Sequence, residues 1–574
     1  MGDLIRGEDR AQASAAVGTG LGHTTLTGKF IGQRRAGWHD RPIMLRCVVF
    51  SLWLVMAALP ARAETLIDEG FRAAQEAMLS SAGSAIRQIG LRTAATTGPL
   101  AELVRHRQSV EERLRDASAA IAKADADKIG LAGQIDGLTA ELAGLDRTLA
   151  QDFPRYAELT RPQPLTIGAV QALLAPDEAL IQTFVGDTYA FVWAISPDRA
   201  GWHRVNAGAA VTAEAVAQLR KTLDPTAVTR GAAALEGAAP ETPRGASFDR
   251  RLAAQLYDVF LAALEPVFGK ARHVYVVADG PLTSLPFALF VTGPYDGADD
   301  DPVALRGTPW MIRRHALTTL PSVESLAVVK RLPPPQPNRP LLAGFGDPVF
   351  AGGSSLGGVT RGAALVAEGL ADVDRLRSLP PLPATRRELL TIATTLGASE
   401  TSLYLGDQAT EAAVKQGIGP AQVVAFATHG LLSGEVQGVT EPALVLTPPD
   451  RASKLDDGLL TASEIIDLKL DADWVLLSAC NTAGGAEPGA EGLSGLARAF
   501  LFAGARSIVV SHWPVRDDAA ARLTTGALSA YAKGGLRRAE ALQAAMLAVM
   551  EDTRDPSLAH PSAWAPFVIV GQGG

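Results

Sequence analysis

The chain has 574 residues, 47% of them hydrophobic and 20% charged, a composition that can bury a large core and that suggests two to four domains at roughly 100–200 residues each. Net charge is −8; residues 1–63 hold eight Lys/Arg against four Asp/Glu, so the remainder carries 45 basic and 57 acidic side chains, a net of −12. An acidic body with no basic patch and no interleaved aromatics excludes binding to a nucleic-acid backbone, which needs clustered Lys and Arg.

Met44-Leu45-Arg46 leads into CVVFSLWLVMAAL (47–59) and then Pro60-Ala61-Arg62-Ala63-Glu64. A short basic n-region, an apolar h-region and an Ala-x-Ala site read as a secretory signal peptide. The apolar run is shorter than the roughly 20 residues a transmembrane helix needs. The expectation is cleavage after Ala63, export to a bacterial periplasm or beyond, and no stable membrane span afterwards. Residues 1–43 show no periodic pattern, Met44 is an alternative start, and 1–63 are set apart as a leader. The mature chain then keeps one of two cysteines, Cys480, and forms no internal disulfide.

Residues 64–160 read as helical. Leu131, Ile135, Leu138, Leu142, Leu145 and Leu149 recur at spacings of four and three, one seam of a helix. The charged stretch 105–127 is the expected antiparallel partner, making a short helical hairpin that packs on the next domain or docks an activating protein. From about 165 the pattern changes to short apolar runs: 179–185, 189–195, 273–278, 341–346, 423–428, 443–447, 474–479, 507–511 and 567–571. Many are Val/Ile/Leu-rich without alternation, as strands buried on both faces are. Helical segments at 385–397, 409–418, 491–504 and a long run from Asp517 to Met550 separate several of them. The fold class expected is α/β, a mostly parallel sheet with helices on both faces. The Pro-rich RLPPPQPNRP (331–340) divides it into a front part, 161–337, and a back part, 338–574.

Two strands of the back part end in reactive residues. VVAFAT is followed by His429-Gly430, and WVLLSA by Cys480-Asn481-Thr482-Ala483-Gly484-Gly485. The C-terminal edge of a parallel sheet is where ligands bind. On neighbouring strands, an imidazole there takes a thiol's proton and hands it to a leaving amine. The amides of Gly430 and Cys480 are candidates for holding an oxyanion. His429 precedes Cys480 by 51 residues, close to the roughly 50 typical of caspases.

In this context ATHGLLSGE (427–435), DGLLTASEI (457–465), LLSACNTAGG (476–485), EGLSGLARAFLFAGARSIVVSHWPV (491–515) and ADGPLTSLPFALF (278–290) closely resemble the CHAT domain. CHAT domains are caspase- and separase-like cysteine peptidases. The resemblance covers about 165–574 and implies a caspase-like α/β fold, a His429/Cys480 dyad and frequent fusion to tetratricopeptide repeats upstream. Two departures stand out. The upstream helical region is short and has no clean repeat, and SACNT replaces the QACRG context of caspases, so the caspase preference for Asp does not carry over.

Three further residues are candidates for a substrate pocket: Asp279 at the end of HVYVVA, which as a turn cap would instead be structural, and His512 and Trp513 in SHWPV, of which Trp513 serves equally as core. Metal-ligand spacing is absent, and no cofactor is expected. GLSGL (492–496) places its serine wrongly for a hydrolase elbow, and LLAGFGDP (341–348) has no P-loop lysine. The expected function is an exported cysteine endopeptidase acting on a protein or peptide in limited, regulatory cleavage. The alternative is a catalytically idle caspase-like scaffold for protein binding.

Overall fold

The computed structural model describes residues 66–78, parts of 99–114, 128–153, 164–223, 247–332, 334–350, 366–367, 370–431, 439, 441–478, 492–513 and 515–574. The chain divides into two units, 1–64 and 65–574. The first, which holds the leader reading and Cys47, lies outside the described residues.

The helical region has two parts with different attachments. Helix α1 (Lys128–Asp152) pairs with helical residues of 102–114. Val104 meets Leu149, and Val110 meets Leu138 beside Ile135, Leu142 and Leu145. Ion pairs Arg107–Asp146 at 2.8 Å and His106–Glu141 at 3.0 Å flank this seam. Contacts that move down one segment as they move up the other define an antiparallel hairpin. Helix 66–78 belongs to the sheet instead. Its Phe71 and Ala74 are buried with Trp193, and the Gln75 amide exchanges two hydrogen bonds with the backbone of Leu165.

Among the described residues, eleven strands form one sheet. In chain order they are β1 (Glu178–Val185), β2 (Ala190–Ile195), β3 (Ala200–Val205), β4 (His273–Val277), β5 (Ala316–Thr319), β6 (Leu342–Gly346), β7 (Leu403–Leu405), β8 (Val423–Ala427), then β12 (Trp474–Leu477), β13 (Ser507–Ser511) and β14 (Phe567–Gly571); β9 (His429–Leu431), β10 (Ala443–Val445) and β11 (Leu459–Thr461) make a separate antiparallel sheet. The large sheet runs β3-β2-β1-β4-β5-β14-β13-β12-β8-β6-β7. Strands β1, β4 and β5 pair in parallel, as do β13, β12, β8, β6 and β7. Strand β2 is antiparallel to β1 and to β3, and β14 to β13. Front and back strands share this one sheet, and the last strand of the chain lies between them.

Helices cover both faces. One face is buried under α2 (Ala209–Leu223), α3 (Arg250–Phe260), α4 (Pro383–Leu396), α7 (Asp517–Gly534) and α8 (Arg538–Met550), and the other under helix 66–78, α5 (Glu411–Gly417) and α6 (Gly492–Ala503). The long helical run expected from Asp517 to Met550 is two helices, because Gly535 takes a left-handed φ of 62° and ends α7. Strand β6 carries glycine for a packing reason. A Cβ at Gly346 would sit 2.7 Å from Leu389 Cδ1 and 2.9 Å from the Ala427 oxygen, so glycine lets α4 lie close on the sheet.

Ion pairs fasten the N-terminal edge. Arg537 pairs with Asp177 (2.7 Å), just before β1, and Arg538 with Asp473 (3.2 Å), just before β12. Glu540 joins Arg537 (2.8 Å) to Arg272 (2.6 Å), just before β4. Consecutive arginines reach all three starts, so these strands begin on one edge and finish on the other. At the C-terminal edge, Arg220 donates to the carbonyls of Ser284 (2.7 Å) and His512 (2.9 Å). Among the described residues, no helix is long and apolar enough to cross a membrane.

Candidate active site

The site grows from the C-terminal ends of β6, β8 and β12, which are adjacent. Their apolar residues Val423–Ala427 and Trp474–Leu477 are buried on both faces, so polar chemistry begins where each strand ends. The register places Phe426 beside Leu477. His429 and Cys480 each follow three residues after that pair. Cys480, with 479–491, lies outside the described residues. The last described residue before it, Ser478, is held at both ends. Its amide donates to the Phe426 oxygen at 2.9 Å, and its hydroxyl donates to Glu388 Oε2 of α4 at 2.9 Å.

His429 begins β9, pairing opposite Val445, and Gly430 pairs opposite Leu444. The imidazole is half-buried, 5.4 Å from the Phe350 ring. Its Nε2 lies 2.8 Å from the Pro380 carbonyl oxygen. A carbonyl only accepts, so Nε2 carries the proton and Nδ1 is left as the basic nitrogen. Burial holds the His429 pKa below the ordinary histidine value, with the Pro380 bond working the other way. The ring is thus a neutral base with a fixed tautomer.

DGLLTASEI acts as scaffolding for this corner. Asp457 accepts from the amides of Ala371 and Leu459, and Glu411 accepts from the amides of Asp457 and Gly458. Gly458 has φ +85°, and a Cβ there would meet Pro448 Cα at 2.9 Å. Thr461 and Glu464 form a capping box at the helix that follows.

Of the pocket candidates, Asp279 stands far from this corner and His512 and Trp513 lie inside the protein. Asp279 ends β4 on the same edge but five strands from β8, about 24 Å at roughly 4.8 Å per strand. Its carboxylate accepts from the Val185 amide at 2.8 Å, tying β1 to β4, and burial pushes its pKa up. Asp279 makes no side-chain cap on the turn Gly280–Ser284 that follows it; its bond is to the neighbouring strand. His512 and Trp513 follow β13, next to β12, and both are buried. Burial lowers the His512 pKa to about 3, and Arg220 adds to this. Trp513 is fully buried and donates from Nε1 to the Ser562 oxygen at 3.0 Å. The expectation that Trp513 lines a pocket gives way to core packing, because its indole finds its hydrogen bond inside the protein.

Sequence reasoning missed three contributors. Pro380 orients His429, Glu388 holds Ser478, and Asp347 sits one residue past β6. Asp347 takes a left-handed φ of 53°; its amide donates to Thr385 Oγ1 at 3.0 Å and its carboxylate pairs with Arg386 at 2.7 Å. A strained non-glycine residue at a strand end is a mark of functional sites. The GFGDP run contained that signal. Glu388, in an ordinary helical stretch, gave none. Among the described residues no group of three His, Cys, Asp or Glu is placed to hold a metal.

The architecture is an open, mostly parallel α/β sheet with a fixed neutral histidine at its C-terminal edge, one strand from the segment that leads to a cysteine. A family model described as CHAT domain matches residues 250–572, more than half of the chain, and the chain belongs to that family. Tetratricopeptide repeat protein 28 of Mus musculus is 27% identical over 361 residues, which are 55% of this chain and 13% of that protein. Its counterpart of the same name in Homo sapiens is 28% identical over 373 residues, 57% of this chain and 13% of that protein. The chain thus spans 13% of the length of these curated relatives. Two crystal structures of the Saccharomyces cerevisiae separase–securin complex are similar at TM-scores of 0.39 and 0.36, with 9% and 10% identity, each covering 74% of this chain and 31% of the other.

Proposed function

We propose that the chain is a cysteine endopeptidase of the CHAT type, with Cys480 as nucleophile and His429 as base. The observation that carries this is the His429 ring at the end of β8, with Nε2 on the Pro380 carbonyl and Nδ1 left basic, beside the strand that continues to Cys480. His429 Nδ1 takes the thiol proton, and the thiolate sulfur bonds to a peptide carbonyl carbon. The amides of Gly430 and Cys480 receive the oxyanion. The C–N bond breaks as the imidazolium returns its proton to the amine, leaving a thioester. Water, deprotonated by the same ring, then hydrolyses the thioester. Cleavage is limited and regulatory, and the substrate is a protein or peptide. Residues 44–63 direct export, with cleavage after Ala63.

The test is digestion of a diverse peptide mixture by the full chain, with Cys480→Ala and His429→Ala alongside, read by mass spectrometry. Cuts lost in both variants are expected. Cuts that persist in both assign the activity elsewhere, and a wild-type chain that cuts nothing, alone or with proteins captured on its 102–153 hairpin, leaves the scaffold reading standing. Recovered exported protein is expected to begin at Glu64; an intact leader would refute export by this segment.

A further inference from the structure

Segment 380–388 touches the ends of three neighbouring strands. The Pro380 carbonyl holds His429 after β8, the Thr385 hydroxyl accepts from Asp347 after β6, and Glu388 Oε2 accepts from the Ser478 hydroxyl after β12. The helix that carries Glu388 is anchored, with Leu389, Ile392 and Ala393 buried in the core. A carboxylate that accepts a hydroxyl proton makes a charge-assisted hydrogen bond, stronger than a neutral one. Ser478 is bonded through its amide to β8 and through its side chain to α4, and Cys480 follows two residues later. Glu388 and Ser478 are 90 residues apart in sequence.

We propose that Glu388 is a positioning residue for the nucleophile: through the Ser478 hydroxyl, α4 fixes the residue two places before Cys480, while Pro380, ahead of α4, fixes the His429 ring. This rests on the peptidase reading of Cys480 and His429. Supporting contacts of this kind are how a site keeps reacting groups within a fraction of an ångström of a productive geometry.

The experiment uses the full chain with Glu388→Ala, Glu388→Gln, Ser478→Ala and the double variant Glu388→Ala/Ser478→Ala. Three readouts are taken: kcat and KM on a peptide cut by the wild type, the iodoacetamide labelling rate of Cys480 followed on its own tryptic peptide, and thermal melting. Glu388→Ala and Ser478→Ala are each expected to lower kcat about ten- to a hundred-fold, the scale of a misplacement of about 1 Å, with KM and melting unchanged. The double variant is expected to be no worse than the weaker single one, as for two residues of one hydrogen bond. Glu388→Gln, which keeps an acceptor, is expected to recover most of the loss. Additive losses, a loss carried by KM, or a Gln variant no better than Ala would overturn the proposal. If the wild type cuts no peptide, the peptidase reading fails and labelling still decides. Equal, non-additive changes at Cys480 support the positioning role, and rates identical to wild type refute it.

Discussion

His429 is defined by two neighbours, a carbonyl and a half-buried setting. The Pro380 oxygen fixes the proton on Nε2, and burial disfavours the imidazolium. The folded pKa lies below the unfolded one of about 6.5, so the folded state binds fewer protons as pH falls through that range. The neutral base therefore persists into mildly acidic solution, and the contribution of His429 to stability is present above pH 6.5 and lost as pH falls below it. The acidic limb of kcat/KM for peptide cleavage is expected below pH 6.5. A limb at or above 6.5 would mean that burial does not govern this ring. At this scale the sequence marked His429 as a candidate, through its Gly and strand-end context, and gave Glu388 no mark. Its importance comes from a contact 90 residues away, and nothing within TRRELLTIATTLG distinguishes it from a solvated helix residue.

Strand β6 and helix α4 show how one element sets another's position. Gly346 leaves no Cβ where Leu389 and the Ala427 oxygen already lie, so α4 sits close enough for Glu388 to reach Ser478. Gly346→Ala is expected to lose about 1–3 kcal/mol to overpacking and to shift α4 outward. The check is the urea midpoint together with Cys480 labelling, and an unchanged midpoint would show that α4 adjusts without strain. The nine apolar runs read from the sequence correspond to strands within a residue or two, because a buried strand announces itself through its own composition. Strands β3, β5, β7, β9 and β11 were missed for identifiable reasons. β3 (AGWHRV) exposes alternate residues, and the others are three or four residues long. Their conformation is imposed by pairing rather than by periodicity.

The whole molecule depends on closing one sheet with strands from distant parts of the chain. Strand β14, the last in sequence, lies between β5 and β13, and the arginines of α8 fasten the N-terminal edge on both sides of it. Asp473 is 5% exposed and faces Arg339 at 2.7 Å, Arg538 at 3.2 Å and Arg506 at 3.9 Å. Removing it leaves several buried guanidinium groups short of their carboxylate. Asp473→Ala is expected to cost about 3–5 kcal/mol, read by urea unfolding. Front and back strands should lose structure in one transition, since they share one sheet. A small cost, or separate transitions, would count against this closure.

The sequence by itself determined the class of fold, the nine apolar strands and the hairpin seam, each encoded locally by composition and periodicity, and its motifs carried the resemblance that gave the family. It also singled out His429 and Cys480, since a reactive residue directly after an apolar run is a local signal. Only the tertiary structure decided that front and back are one sheet, that Asp279 stands about 24 Å away at roughly 4.8 Å per strand and ties β1 to β4, that Trp513 is core, and that Pro380 meets His429 and Glu388 meets Ser478. The reason is physical: strand order and cross-chain hydrogen bonds come from long-range closure of the chain, and no short stretch of sequence records which distant residue will be its neighbour.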